Sequence, residues 1–252
     1  MIQGLYAAAT GIMTVEERQA TVANNIANAS TVGFKAFRPV QEGFYSVFES
    51  ELRRPFHFRT MVGPGGGTRM AGTYSDLKTG VLQKTGDPLN VALQGPGFIA
   101  VNTPHGDRFT RAGVFSVNAG GQLVTPDGYV VQSASGDAID VRGERVNITH
   151  EGVVQVDGVS RGRMRVVEFE NPHLLMREGY TLYQAPPEAM RRSTAATETE
   201  VHQGHLEMAN VNLPREMIEM TMGLRTYAAN QRVMNAMDET MGQLIERVGS
   251  PV

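Results

Sequence analysis

Apolar residues near the start of the chain recur at alternating steps of three and four. Leu5, Ala8, Ile12, Val15, Gln19, Val22 and Ile26 make one seam with a single polar interruption at Gln19. Such steps put side chains on one stripe of an α-helix, and they predict a helix over residues 2–28 that is ~40 Å long. Asn28, Ser30, Thr31 and Gly33 supply the turn chemistry that ends it. A second series lies at the far end: Met217, Met220, Leu224, Tyr227, Gln231, Met234, Asp238, Met241, Ile245 and Val248. It predicts a helix over 214–248, ~50 Å long, with Pro214 in its first turn and Asn212 as its cap. Ile218, Met222, Val233, Met237 and Leu244 fall off that seam. One helical partner cannot cover both stripes, so this helix is expected either inside a bundle or against several neighbours. It also carries six methionines, whose flexible thioethers pack against partners of differing shape.

The pattern between the helices changes twice. Residues 34–75 combine an aromatic cluster, Phe34, Phe37, Phe44, Tyr45, Phe48, Phe56 and Phe58, with the breaker Gly63-Pro64-Gly65-Gly66-Gly67, and they read as irregular. Residues 76–200 carry short apolar runs at Leu89–Leu93, Phe98–Val101, Val114–Val117, Tyr129–Val131, Val153–Val156 and Met164–Phe169, punctuated by turns such as Pro126-Asp127-Gly128 and Asp157-Gly158. Turns every ten residues or so mark an antiparallel sandwich or barrel-like region. Pro186 to Glu200 is polar and reads as a loop. The expected organisation is therefore an N-terminal helical part over 1–33, a connector over 34–75, a β-rich part over 76–204 and a C-terminal helical part over 205–252. The fold class is α+β.

Composition narrows the function. The apolar fraction of 41% allows a substantial core, and a formal charge of −3 gives no nucleic-acid footprint. The chain has no cysteine, which removes disulfides and thiolate metal sites. The opening residues lack the pattern of a secretory signal, and no apolar run is long enough to span a bilayer. Two readings of the seams stay open. The helices can form an intramolecular hairpin, or they can form a module that assembles with other chains. Gln19, Gln231 and Asp238 would set register in either case.

The segment from Ala23 through Asn24, Asn25, Ile26, Ala27, Asn28, Ala29, Ser30, Thr31, Val32, Gly33 and Phe34 to Lys35 resembles the signature of flagellar rod and hook axial proteins. Leu206-Glu207-Met208-Ala209-Asn210-Val211-Asn212, followed by Arg225, Tyr227 and Asn230, is similar to that family's C-terminal signature. The runs from Gly80 to Phe98 and from Phe109 to Phe115 match its middle block. Asn90 and Met208 depart from residues common in the family. The resemblance implies terminal helices paired in a coiled-coil inner domain, an inserted and mainly antiparallel outer β domain, and a non-enzymatic subunit polymerising into the torque-transmitting rod of the basal body. It implies rod and hook-basal-body partners, self-association, passage through the type III flagellar export apparatus without a cleaved signal, and a place in the periplasm-spanning rod. The Gly4-Leu5-Tyr6 opening and the modest length favour a proximal-rod (FlgF) type, with the distal-rod (FlgG) type as alternative. An oligomeric carbohydrate- or protein-binding β module is the remoter reading.

The expected assembly interface is Leu5, Ile12, Val15, Val22, Asn24, Asn25, Ile26, Asn28, Asn210, Asn212, Met217, Met220, Leu224, Tyr227, Met234, Met241 and Ile245. Phe44 and Phe48 have the spacing of the family's export-gate motif, although core packing is the favoured explanation of the pair. No catalytic, cofactor or metal residue is expected. Gly63–Gly67 lacks the Lys-Ser/Thr of a phosphate loop, and Gly95-Pro96-Gly97 leads into a strand. His202 and His205, with Glu200 and Glu207 nearby, read as structural or solvent-exposed. Arg161, Arg163 and Arg165 alternate and read as one basic face of a strand. A peptidoglycan hydrolase would need a carboxylate pair whose spacing no sequence supplies.

Overall fold

In the computed structural model, residues 2–43 and 67–249 are described, so the expected export-gate residues Phe44 and Phe48 lie outside the described part. The chain separates into two compact units.

The first unit comprises residues 1–27, 37–74 and 212–252. Helix α1 spans Ile2–Ala27, helix α2 is the short Pro187–Arg191 of the other unit, and helix α3 spans Leu213–Gly249. The start of α3 follows local chemistry. Asn212 Oδ1 accepts the Arg215 amide at 3.1 Å, and Pro214 occupies the first turn, where no intrahelical donor is needed. Residues 205–207, expected within the C-terminal helical part, instead form a strand, and the helix begins only at Leu213. The connector expectation also needs correction. Phe37–Gly43 and Thr68–Ser75 are paired strands rather than irregular backbone. The second of them is almost wholly exposed, so it carries no apolar alternation from which a strand could be read.

The second unit comprises residues 28–36 and 75–211 and holds the β structure. Its largest sheet runs in the order Met176–Glu178, Leu182–Gln184, Gly106–Thr110, Phe98–Thr103, Val130–Val131, Leu123–Val124 and Ser116–Val117; Val166–Phe169 pairs with both Phe98–Thr103 and Ser193–Ala195. A three-stranded sheet joins Val146–Ile148, Val153–Val156 and Val159–Arg163, and every pairing in both is antiparallel. Asp157 and Gly158 sit at φ of 51° and 82°, the two left-handed residues that a tight hairpin turn demands. The expected loop from Pro186 to Glu200 is corrected to α2 plus the strand Ser193–Ala195, held by backbone pairing with Val166–Phe169 rather than by an apolar pattern. Two more pairs, Glu200–Gln203 with Val91–Gln94 and His205–Glu207 with Leu82–Lys84, bring the end of this unit back onto its beginning. The core has one cluster around Leu93, Ile99, Val101, Leu123, Ile139 and Val154. A second, around Phe98, Phe109, Phe169 and Tyr183, packs its rings edge to face at 5.0–5.8 Å.

Candidate assembly surface

In the first unit α1 and α3 lie side by side and antiparallel, and the contacts repeat every seven residues. A Cβ on Gly4 would meet Met237 Cε at 2.5 Å, and one on Gly11 would meet Asn230 Nδ2 at 3.0 Å. Gly223 faces Gln19, whose amide Nε2 donates to the Met220 carbonyl at 3.2 Å. Arg18 pairs with Glu219. At the far end Asn25 Nδ2 donates to Phe37 O at 2.9 Å and to Glu216 Oε2 at 3.2 Å, while Glu216 also pairs with Arg38 at 2.9 Å. Glycines spaced by seven thus let the helices approach where opposing side chains are large.

This register separates two rows on α3. Met220, Gly223, Tyr227, Asn230, Met234, Met237 and Met241 step by three and four and are all half-buried. Met217, Leu224, Gln231, Asp238 and Ile245, one position out of step, are exposed. The seam read from sequence merges these rows, because Gly223 and Asn230 do not look like apolar seam positions. Exposure reaches 57% at Met217, 59% at Leu224 and 70% at Ile245; Ile218, Met222, Val233 and Leu244 are exposed beside them. On α1, Tyr6 and Met13, also seven apart, are exposed. The expected α1 seam is covered within the chain: Leu5, Ile12, Val15 and Ile26 are half-buried and Val22 is buried.

The signature asparagines divide in the same way. Asn25 is buried and engaged as above, while Asn24 and Asn212 are exposed. Asn24 and Asn28 do not share a helical face, because α1 ends at Ala27 and Asn28 is buried in the following turn, where its side chain accepts the Thr31 hydroxyl. Asn210 Oδ1 accepts the Ala36 amide at 2.8 Å, and its Nδ2 donates to Asp76 O and Lys78 O.

In the second unit the N-terminal and C-terminal signatures meet at a buried ionic joint that sequence reading missed. Gly33, at φ 71° and against the Ala112 backbone where no side chain would fit, donates its amide to Glu207 O at 2.8 Å. Lys35 and Glu207 are fully buried and pair at 2.5 Å. The same Glu207 oxygen accepts the Gly80 amide at 2.8 Å, and Arg111, 1% exposed, brings a second cation to within 3.5 Å of the carboxylate. Arg111 also donates to Gly95 O at 2.6 Å and lies over the Phe98 ring. Burial holds the Lys35 ammonium below its ordinary value against the opposing pull of Glu207, and burial likewise lowers Arg111. A joint of this kind fixes geometry; it offers no open space to a substrate. The only sequence signal for it was the family match at Lys35, Arg111 and Glu207. Of the alternating arginines, Arg163 donates to Glu151 O and Arg165 pairs with Asp107 at 2.9 Å, so both are engaged within the chain. Among the described residues no helix is long and apolar enough to cross a membrane.

Comparison with known proteins matches the same segments. The family description "Flagella basal body rod protein" fits residues 5–35, "Flagellar hook protein FlgE/F/G D1 domain" fits 92–156, and "Flagellar basal body rod FlgEFG protein C-terminal" fits 202–247. The chain is 31% identical to the flagellar basal-body rod protein FlgG of Caulobacter vibrioides over 95% of its own length and 97% of that protein. It is 28% identical to FlgG of Bacillus subtilis, covering 97% and 98%, and 29% identical to FlgF of Rhizobium meliloti, covering 99% of each. Matched at both terminal signatures, in the intervening β region and along nearly its whole length, the chain belongs to the flagellar basal-body rod protein family, a family of structural rod subunits rather than enzymes.

Proposed function

We propose that this chain polymerises through α1 and α3, paired as an antiparallel coiled coil, into a rod that carries torque across the periplasm. The observation that carries this reading is the exposed apolar row on α3. Each large side chain there gains about 1.5–3 kcal/mol on full burial, and association costs on the order of 4–15 kcal/mol. Several of these residues must therefore be covered together, which a neighbouring helix packed along the row achieves. Asn24, Asn212, Met217, Leu224 and Ile245 are the interface residues that this proposal keeps from the sequence expectation; Asn28 and Asn210 are engaged within the second unit, and the remaining ones build the pair that presents the row.

Other rod and hook-basal-body subunits and further copies of the chain are the proposed neighbours, reached through the type III flagellar export apparatus without a cleaved signal. The proximal-rod (FlgF) position is the favoured one, on the Gly4-Leu5-Tyr6 opening and the end-to-end match with FlgF. The distal-rod (FlgG) position is the alternative, supported by relatives of similar identity. Deletion of residues 1–30 or of 210–252 is expected to abolish incorporation into basal bodies, and locating the labelled full chain by cryo-microscopy of purified basal bodies assigns its level. Incorporation of both truncated chains would refute the proposal.

A further inference from the structure

We propose that His150, Glu200 and His202 form a binding site for a borderline-soft divalent cation, of which zinc is the representative. Glu200 and His202 are neighbours on one strand, and the β topology of the second unit brings the distant His150 to them. Glu200 and His202 alternate on the strand Glu200–Gln203, so a carboxylate and an imidazole share one face. His150 lies in the tight turn between Val146–Ile148 and Val153–Val156, closed by hydrogen bonds between Thr149 and Val153 and between Gly152 and Thr149. The amide of Val201, the residue between the two strand ligands, donates to His150 O at 2.9 Å. The backbone thus fastens the turn to the strand at the centre of the donor set.

The donor geometry suits a small ion. One ligand atom from each residue lies within 4.8 Å of the other two, and Glu200 Oε2 is 3.6 Å from His202 Nε2. Metal–ligand bonds of about 2.0–2.1 Å place adjacent donors of a tetrahedral ion ~3.4 Å apart. Closing the wider gap is a matter of side-chain rotation for His150 and Glu200, which are exposed. His202 Nε2 is buried with no hydrogen-bond partner among the described residues. The His150 and His202 rings stand edge to face, 5.2 Å apart. Two imidazoles and one carboxylate favour zinc over magnesium or calcium, which prefer all-oxygen shells. Three protein donors leave a fourth position for water or for an acidic group of another molecule. His205, 6.3 Å from the His202 ring, has its Nδ1 against Gln203 O at 2.9 Å and lies outside the donor set.

The test is calorimetric titration of the untagged full chain with zinc chloride, and with magnesium chloride for comparison. The expected result is saturable binding of a single zinc ion, a higher thermal midpoint with zinc, weaker binding in mildly acid solution, and no response to magnesium. His150→Ala, His202→Ala and Glu200→Gln each weaken binding by about ten-fold or more, while His205→Ala leaves it unchanged. Absence of saturable zinc binding by the folded wild-type chain, or equal zinc affinity in His150→Ala/His202→Ala, would overturn the assignment.

Discussion

Replacing Glu207 by Gln tests the buried joint most directly. The change keeps the side-chain shape and one acceptor for the Gly80 amide but removes the carboxylate that Lys35 and Arg111 share, leaving Asp76 as the more weakly acting anion near Lys35. At an effective dielectric of 20, two charges at ~4 Å attract by about 4 kcal/mol, so the two cations together lose more than any single surface pair could supply. Experience with broken buried pairs sets the net loss at about 3–5 kcal/mol. Lys35 has one escape, which is to give up its proton. At pH 7 that costs at most about 5 kcal/mol, from 1.36 kcal/mol per unit over the span up to the ordinary lysine value of 10.5. The sign follows from linkage. In the variant Lys35 titrates still further below 10.5 when folded, so the unfolded chain binds more protons and stability rises with pH in that window. The deficit relative to wild type should therefore shrink between pH 7 and pH 9.5, by up to about 1.4 kcal/mol per unit for one proton. Urea unfolding followed through the β-sheet circular dichroism signal at both pH values measures it. A loss below about 1 kcal/mol at pH 7, or a deficit that stays constant with pH, would refute the reasoning.

Three further outcomes follow from other parts of the molecule. Met217→Asp/Leu224→Asp should leave monomer stability within about 0.5 kcal/mol, because both side chains already face solvent, yet prevent incorporation into rods in a complementation assay. Gly11→Leu should lower the stability of the α1–α3 pair by about 1–3 kcal/mol, since even a Cβ there stands 3.0 Å from the Asn230 amide nitrogen; thermal loss of helical circular dichroism reads this out. Asp140 is held at about 2, below its ordinary 3.8, by hydrogen bonds from the Arg142 side chain and backbone. Its contribution to stability is thus complete above 3.8 and lost as pH falls through about 2, and carboxyl-carbon NMR should show that midpoint returning towards 3.8 in Arg142→Ala.

The legibility of this fold followed the strength of local signals. Both helices and the Asp157-Gly158 turn were readable because periodicity and turn chemistry act within a few residues. The exposed strand Thr68–Ser75 was not, since its hydrogen bonds are made by backbone and its side chains leave no alternation. The α3 seam read from sequence mixes covered and exposed positions because a glycine and an asparagine, Gly223 and Asn230, occupy contact positions that hydrophobicity cannot mark. The burial of Lys35 has no local signal. A lysine after a turn reads as a surface residue, and only the distant Glu207 and Arg111 make its complete burial possible. His202 was weighed with its sequence neighbours, whereas its nearest ring belongs to His150, some fifty residues away.

The joint between the two signatures also determines where tension runs. Gly33 and Lys35 are fastened to Glu207, and Ala36 to Asn210, just after the chain leaves one terminal helix and just before it enters the other. Force pulling the two ends apart first peels α1 from α3; beyond the helices it crosses from residues 33–36 to residues 207–210 by the hydrogen bonds and ion pair of the joint. The intervening sheets hang as a side loop outside the strained path. They can carry insertions or surface changes without entering that route.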